Sequence, residues 1–378
     1  MPDMNQPLFE IDRADLEITL NSYVPGNGYA WEKLFPLKST RRFDLKGLEG
    51  NEGIAVSAER VAFNTKAPLK TRETVGKWSG KLAKNAVSRE KDEEDYNEYK
   101  DLQAIAAASP NDKSAANDLI NMVYDDVEFC HKAMEAKNEL DCLRIASSGV
   151  MTFPEEIDGD NATADVINFN VPEENFVGAE EPWTNVDSKG NVTVNAKADG
   201  IADIIKWTDE IVKKGYPRPR YAYMDKQAFL VLRSQTNVAA RLYPNVNNIV
   251  VTAQMITLQS INNYMAQNGY PEIRYTDSYI RLEHKNGERP VIHPWNQNVV
   301  TLCPEENLGH TYYKTVPEVE NVAAIQDYGP YYKLTVYSEL NPRKEVTMAE
   351  AYIQPVLENR RSTVFLNVNA KTWNKGVR

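Results

Sequence analysis

Apolar residues recur every three or four positions through Ala116, Leu119, Ile120, Val123, Val127, Cys130 and Met134, the spacing that lines one face of a helix. Ser109-Pro110 precedes the run, Asn111 or Asp112 can open it, and Gly149 can close it. A helix over 111–148 would be roughly 55 Å long at 1.5 Å per residue, more strut than ordinary globular helix. Upstream the pattern changes. Residues 1–45, with Pro25-Gly26-Asn27-Gly28 and a Trp31/Phe35 pair, have weak periodicity and predict an extended arm that needs a partner surface to stay ordered. Ile54, Val56 and Ala58 then alternate with polar neighbours, and Val61 and Phe63 lead into NTKAPLKTRETVGKWSGKLAKNA, a long hairpin with a basic tip.

Downstream, residues 150–200 are rich in acids, Asn and turn formers, with short strand-like pieces in DVINFNV and NVTVN. An α/β alternation follows. Ile201, Ile204, Ile205, Ile211 and Val212 mark a helix closed by Gly215, YAYM (221–224) reads as a strand, and Asp225 caps a helix carrying Phe229, Leu230 and Leu232. Residues 253–268 predict another helix, ended by Gly269. EIRYTD and YIRLEH read as strands, and Asn286-Gly287 turns the chain into PVIHP and NVVTLCP. The last strands, YYKLTVYS, EVTMAEAYIQPVL and STVFLNVNA, are expected beside the long helix, in a sheet built from pieces distant in sequence.

Composition narrows the classes. The 378 residues suffice for two to three domains, and no run approaches the roughly 18 apolar residues of a membrane span. The start is acidic and lacks a secretory pattern, so a soluble protein of the cytoplasm is expected. Net charge −11 disfavours tight nucleic-acid binding, which rests on Lys and Arg displacing counterions. That charge is unevenly spread. Arg60, Lys66, Lys70, Arg72, Lys77, Lys81, Lys84 and Arg89 meet only Glu59 and Glu73, and the next stretch, EKDEEDYNEYKD, is strongly acidic. Acids in a first helical turn are favoured by the helix dipole and need no partner; alternatively, the basic loop reaches an acidic neighbour. Both readings stand on charge alone.

Chemistry is sparsely signalled. Cys130, Cys142 and Cys303 form no CxxC and predict free thiols; Cys130 continues the apolar stripe, and Cys303 ends the apolar run of a strand. His284 and His293 flank the hairpin turn but lack a third ligand at metal spacing. EEIDGDNATAD lacks EF-hand spacing, and neither GxGxxG nor GxxxxGK[ST] occurs. No catalytic, cofactor-binding or metal residue is therefore assigned, and no cofactor is expected. A soluble α/β enzyme using Cys303 or His293 remains an alternative.

In this order the elements resemble the major capsid proteins of tailed bacteriophages, specifically the phage lambda type that shares the Hong Kong 97 phage fold. IAVSAERVAFNTKAPLKTRETVGKWSG looks like the family's extended loop leading into its spine helix, and YAYMDKQAFLVLRS like its axial strand and Asp-initiated helix. In VIHPWNQNVVTLCPEENLGHTYYK, Pro294, Asn296, Val299, Val300, Leu302, Gly309, Tyr312 and Tyr313 hold the places of the family's turn, apolar strand and Gly-led aromatic pair; EVTMAEAYIQPVLENRRSTVFLNVNA looks like its closing strands. The resemblance implies an α+β subunit with an N-terminal arm (1–45), an extended loop (46–90), a peripheral domain (91–198) with spine helix 111–148, an axial domain (199–310) and return strands (311–378) completing both domains. It implies hexamers and pentamers of the chain itself in an icosahedral virion shell around double-stranded DNA, assembled in the host cytoplasm with scaffolding, portal and possible decoration proteins and no membrane. The N-terminal arm and the acidic region 155–198 match the family poorly. An encapsulin-like nanocompartment shell, which shares the fold but encloses cargo enzymes, is the alternative. On the shell reading, Lys66, Lys70, Arg72, Lys77 and Lys81 would meet Asp92, Glu93, Glu94 and Asp95 of another subunit.

Overall fold

The computed structural model describes residues 6–26, 28–48, 77–108, 113–151, 167–186, 188–244, 255–284 and 286–373. Its helices are α1 (Arg13–Ser22), α2 (Trp31–Leu34), α3 (Glu93–Ala108), α4 (Lys113–Ser148), α5 (Gly200–Lys213), α6 (Lys226–Arg233), α7 (Thr236–Leu242) and α8 (Leu258–Gln267). The expected strut is α4, 36 residues without Gly or Pro. Gly149 ends it at φ +66, a conformation that glycine adopts at little cost. Val123, Val127, Cys130 and Met134 of the predicted stripe are buried, whereas Ile120 near the start is 56% exposed.

One face of α4 packs on a sheet organised around the 15-residue strand Arg343–Leu357. That strand pairs antiparallel with Lys333–Leu340, with Ala83–Lys91 and with Gly309–Lys314. Leu37–Ser39 adds in parallel beside Gly309–Lys314, and Ile325–Tyr328 forms an edge. Period-two alternation sorts the faces. Ala349, Ala351 and Ile353 are buried in the core shared with α4, while Met348, Glu350 and Tyr352 are half-buried on the far side. Thr311, within 3.7 Å of Cys142 Sγ on α4, fixes which face of its strand looks at the helix.

A second sheet runs in the order Glu272–Thr276, Tyr221–Asp225, Val299–Cys303, Val364–Asn367, Phe176–Gly178. Its apolar face is covered by α5, α6 and α8, with Ile201, Ile204, Leu232, Ile261 and Met265 fully buried. The caps read from sequence are in place. Asp225 Oδ2 accepts the Gln227 amide at 2.7 Å, and α5 is followed by Gly215 at φ +87.

Three expectations are corrected. The described part of the arm expected over 1–45 does not wait for a partner surface: Phe9, Leu16, Leu20, Trp31, Leu34 and Phe35 are each no more than 1% exposed, packed into the core that contains α4. Helix 253–268 begins only at Leu258, because Thr257 and Ser260 exchange side-chain bonds with each other's amides in a capping box. Val364–Asn367 joins the second sheet instead of the one beside α4, since Val364 and Leu366 complete the α5/α6/α8 core.

Candidate assembly surface

Lys66, Lys70 and Arg72 lie outside the described residues. Lys77 and Lys81 begin and end a strand, Lys77–Lys81, paired antiparallel with Asp44–Leu48, and these two strands form a stem. Lys81 is exposed. At the acidic end, Asp92 Oδ1 accepts the amides of Glu94 and Asp95 at 2.8 and 3.1 Å, and Asp95 Oδ2 accepts the Asp92 amide at 2.9 Å. Two of the four carboxylates thus close the N-terminus of α3 reciprocally. Glu93 and Glu94 stay exposed, with no ion pair among the described residues.

Beneath this surface is a joint that sequence reasoning missed. His131, Glu135 and Glu139 sit four residues apart on one face of α4 and are 8%, 3% and 0% exposed. His131 stacks on Tyr23, centroids 4.0 Å apart, with Nδ1 3.1 Å from the Tyr332 hydroxyl. Glu135 accepts the Gly26 amide at 2.6 Å, Trp31 Nε1 at 3.0 Å and the Tyr331 hydroxyl at 2.8 Å. Glu139 accepts the Ala30 and Trp31 amides, the latter at 2.8 Å, and the Ser278 hydroxyl. It therefore caps α2 and ties α4 to the segment after the second sheet's edge strand. Burial pushes both carboxyls above the ordinary glutamate value despite these donors, and lowers His131. The available signal was the four-residue spacing of polar groups inside an otherwise apolar stretch.

The groups considered for chemistry are packed into the fold. Cys303 is fully buried, its Sγ donating to the Glu305 carbonyl at 3.1 Å, and burial raises its thiol far above the ordinary range; Cys130 is pushed up to about 12. His293 places Nδ1 3.0 Å from the Trp295 carbonyl and Nε2 2.7 Å from Asp225 Oδ1. His284 lies opposite Glu288 in the hairpin and His293 lies opposite Tyr279, so the two imidazoles do not meet. The hairpin Ile280–Arg281/Val291–Ile292 and the strand Val299–Cys303 thus hold these groups in structural contacts. A cleft of about 620 Å³ between α2 and strand Glu272–Thr276 is lined by Tyr29, Lys33, Tyr223, Arg274 and Glu306; Arg274 is already held by Glu272 and Glu306. Among the described residues no group of three or more His, Cys, Asp or Glu side chains could hold a metal ion.

No family model and no curated protein matches this sequence. Solved structures do. A phage-related protein from Bordetella bronchiseptica RB50 is 12% identical, with 98% of each chain covered and a TM-score of 0.51. A prophage protein of E. coli CFT073, described as a capsid protein, is 13% identical, with 95% of this chain and 99% of that chain covered and a TM-score of 0.57. The chain has the Hong Kong 97 type fold. At these identities the likeness is one of fold alone. It spans 98% and 95% of this chain respectively. The α+β fold class expected from the order of the sequence elements is met, and no helix among the described residues is long and apolar enough to cross a membrane.

Proposed function

We propose that this protein is the structural subunit of an icosahedral phage head, assembling with copies of itself as hexamers and pentamers around double-stranded DNA. The observation that carries this reading is the Hong Kong 97 type fold shared over at least 95% of the chain with two phage-derived proteins. The thiols and imidazoles described above, which serve as packing and tethering groups, support a structural role in place of catalysis. Net charge −11 also suits a wall that must not hold the packaged DNA tightly. Scaffolding, portal and decoration proteins are the further partners this role implies.

Within the shell, the contact we propose is that of Lys66, Lys70, Arg72, Lys77 and Lys81 with the acidic start of α3 on another subunit. Asp92 and Asp95 are committed to their own helix cap, so Glu93 and Glu94 carry the available charge there. Many modest repeated contacts of this kind assemble a closed shell without trapping errors. Negative-stain microscopy of the purified protein, with any assembly helper supplied, should show closed particles; a compact monomer at every ionic strength would refute the role. Reversing Lys66, Lys70 and Arg72 to Glu should abolish particles and leave the monomer folded, and unchanged assembly would refute the contact.

A further inference from the structure

We infer that the face of the first sheet turned away from α4 is a cation–aromatic platform, and that it receives the exposed acidic stripe of α3 from a second copy of this chain. The inference deepens the shell reading and rests on it.

The platform is built by register. Lys38 lies beside Tyr312 in neighbouring strands, and Lys314, Tyr352 and Lys84 lie side by side across three. Because Thr311 looks at α4, Tyr312 and Lys314 look the other way. Phe43, 44% exposed, sits on top: its ring is 5.1 Å from that of Tyr352, and Lys314 Nζ lies 3.9 Å from its centroid. Lys38 Nζ lies 5.2 Å from the Tyr312 ring. Aromatic faces hold the ammonium groups in place while leaving their charge available.

The charge balance is lopsided for so acidic a chain. Glu350 is taken by Lys84, and Glu358 by the Tyr312 hydroxyl and His310. Lys38, Arg41, Arg42, Lys81 and Lys314 have no ion pair among the described residues, with Asp44 the remaining acid at the stem. The patch borders the stem, where the Phe43 carbonyl accepts the Leu82 amide at 3.0 Å, so its cations lie next to the strand Lys77–Lys81.

The complement is on α3. Glu94, Glu98, Asp101 and Ile105 are spaced four, three and four residues apart, which places them on one face, and all four are exposed, Ile105 to 52%. That stripe is about 16 Å long at 1.5 Å per residue. From Lys38 to Lys84 the platform crosses four strands, about 14 Å at about 4.8 Å each. Three acids followed by an isoleucine match cations grouped around a phenylalanine. The chain cannot make this contact with itself, because α3 packs against α4 on one side of the sheet and the platform is on the other. DNA fits less well, since net charge −11 repels phosphate and leaves Phe43 without a counterpart.

Charge exchange tests the pairing on the full chain with its assembly helper. Lys38→Glu/Lys314→Glu should raise the protein concentration needed for particles by about tenfold or more, and Glu98→Lys/Asp101→Lys should do the same. Both sets carried together should restore particles, with circular dichroism of each monomer unchanged. Particle formation by either double variant at the parent's concentration would overturn the pairing, and so would failure of the combined variant to recover. Loss of short-duplex DNA retention by the platform variant, with assembly intact, would assign the platform to phosphate and equally overturn it. A parent that never assembles would overturn the shell reading and this inference together, whereas a parent that assembles and ignores the platform reversal overturns this inference alone.

Discussion

Replacing Glu139 with Ala removes the acceptor on which the start of α2 depends. Three donors lose their partner: the Trp31 amide, which is buried, the Ala30 amide, which is half-buried, and the Ser278 hydroxyl. A buried donor left unpaired costs about 1–3 kcal/mol. Ser278 lines the open cleft and can turn to water, so the two amides dominate. Relief from burying a carboxylate offsets some of the loss, and a net cost of about 2–4 kcal/mol follows. Glu139→Gln keeps an acceptor of the same shape and should cost about 1 kcal/mol. Urea unfolding followed by tryptophan fluorescence measures both, and limited proteolysis between residues 23 and 31 should become faster in the Ala variant alone. The pH dependence gives a second check. Burial raises the folded-state pKa of Glu139 above the ordinary 4.5, so the stability linked to its proton is complete below 4.5 and is lost as pH rises through the elevated value. The deficit of Glu139→Gln relative to the parent should therefore shrink between pH 4.5 and neutrality. An Ala variant within about 0.5 kcal/mol of the parent would refute the role given to this carboxylate.

Further outcomes follow from other buried groups. His131 is held below its ordinary 6.5, chiefly by burial, with Glu128 and Lys132 acting in opposite directions beside it. The stability this provides is present above pH 6.5 and lost as pH falls through the folded value, so His131→Phe, which keeps the stack on Tyr23, should make Tm less acid-sensitive below 6.5. Cys130, Cys142 and Cys303 are all buried with raised pKa values; a thiol-reactive dye at pH 8 should label none of them in the native chain and all three in urea. A Cβ on Gly309 would lie 1.9 Å from the Val356 carbonyl oxygen, so Gly309→Ala must push its strand away from the neighbouring one and should yield insoluble protein or a loss above about 3 kcal/mol in unfolding assays.

What could be read from the sequence was local. The apolar stripe of α4, the Asp225 cap and the glycines after α5 and α8 each act within a few residues, and the structure contains them. The N-terminal segment could not be read this way. Helix α2 has four residues, too short to hold on propensity, and the carboxylate that caps it lies 108 positions away. Phe9 is likewise fixed by Glu345, whose Oε2 accepts its amide across 336 positions. Sheet order is equally remote. Ala83–Lys91 finds its partner more than 250 residues later, and nothing in its alternation names that partner. At the acidic start of α3 the capping role holds for Asp92 and Asp95, and Glu93 and Glu94 are exposed in the same first turn, where the helix dipole favours acids.

The packing of the described residues of 1–45 also changes the physical picture of the assembly we propose. Had this segment been an arm awaiting a neighbour, folding and association would be one step, and the monomer would lack a portion of its core. Instead Trp31, Phe35 and Leu16 are buried within their own chain, so the subunit has its core before it meets another copy. On the shell reading, energy for association would then come from surfaces that folding leaves unused. The surfaces we propose for it are the strand pair Asp44–Leu48/Lys77–Lys81 with its neighbouring cations and the outward stripe of α3; the hairpin Thr184–Val186/Val192–Val194, whose Val186 and Val192 are about two-thirds exposed, is also left uncovered. In the shell we propose, closure would come from repetition of such contacts around the symmetry axes, and a mispaired subunit could leave before the shell is complete.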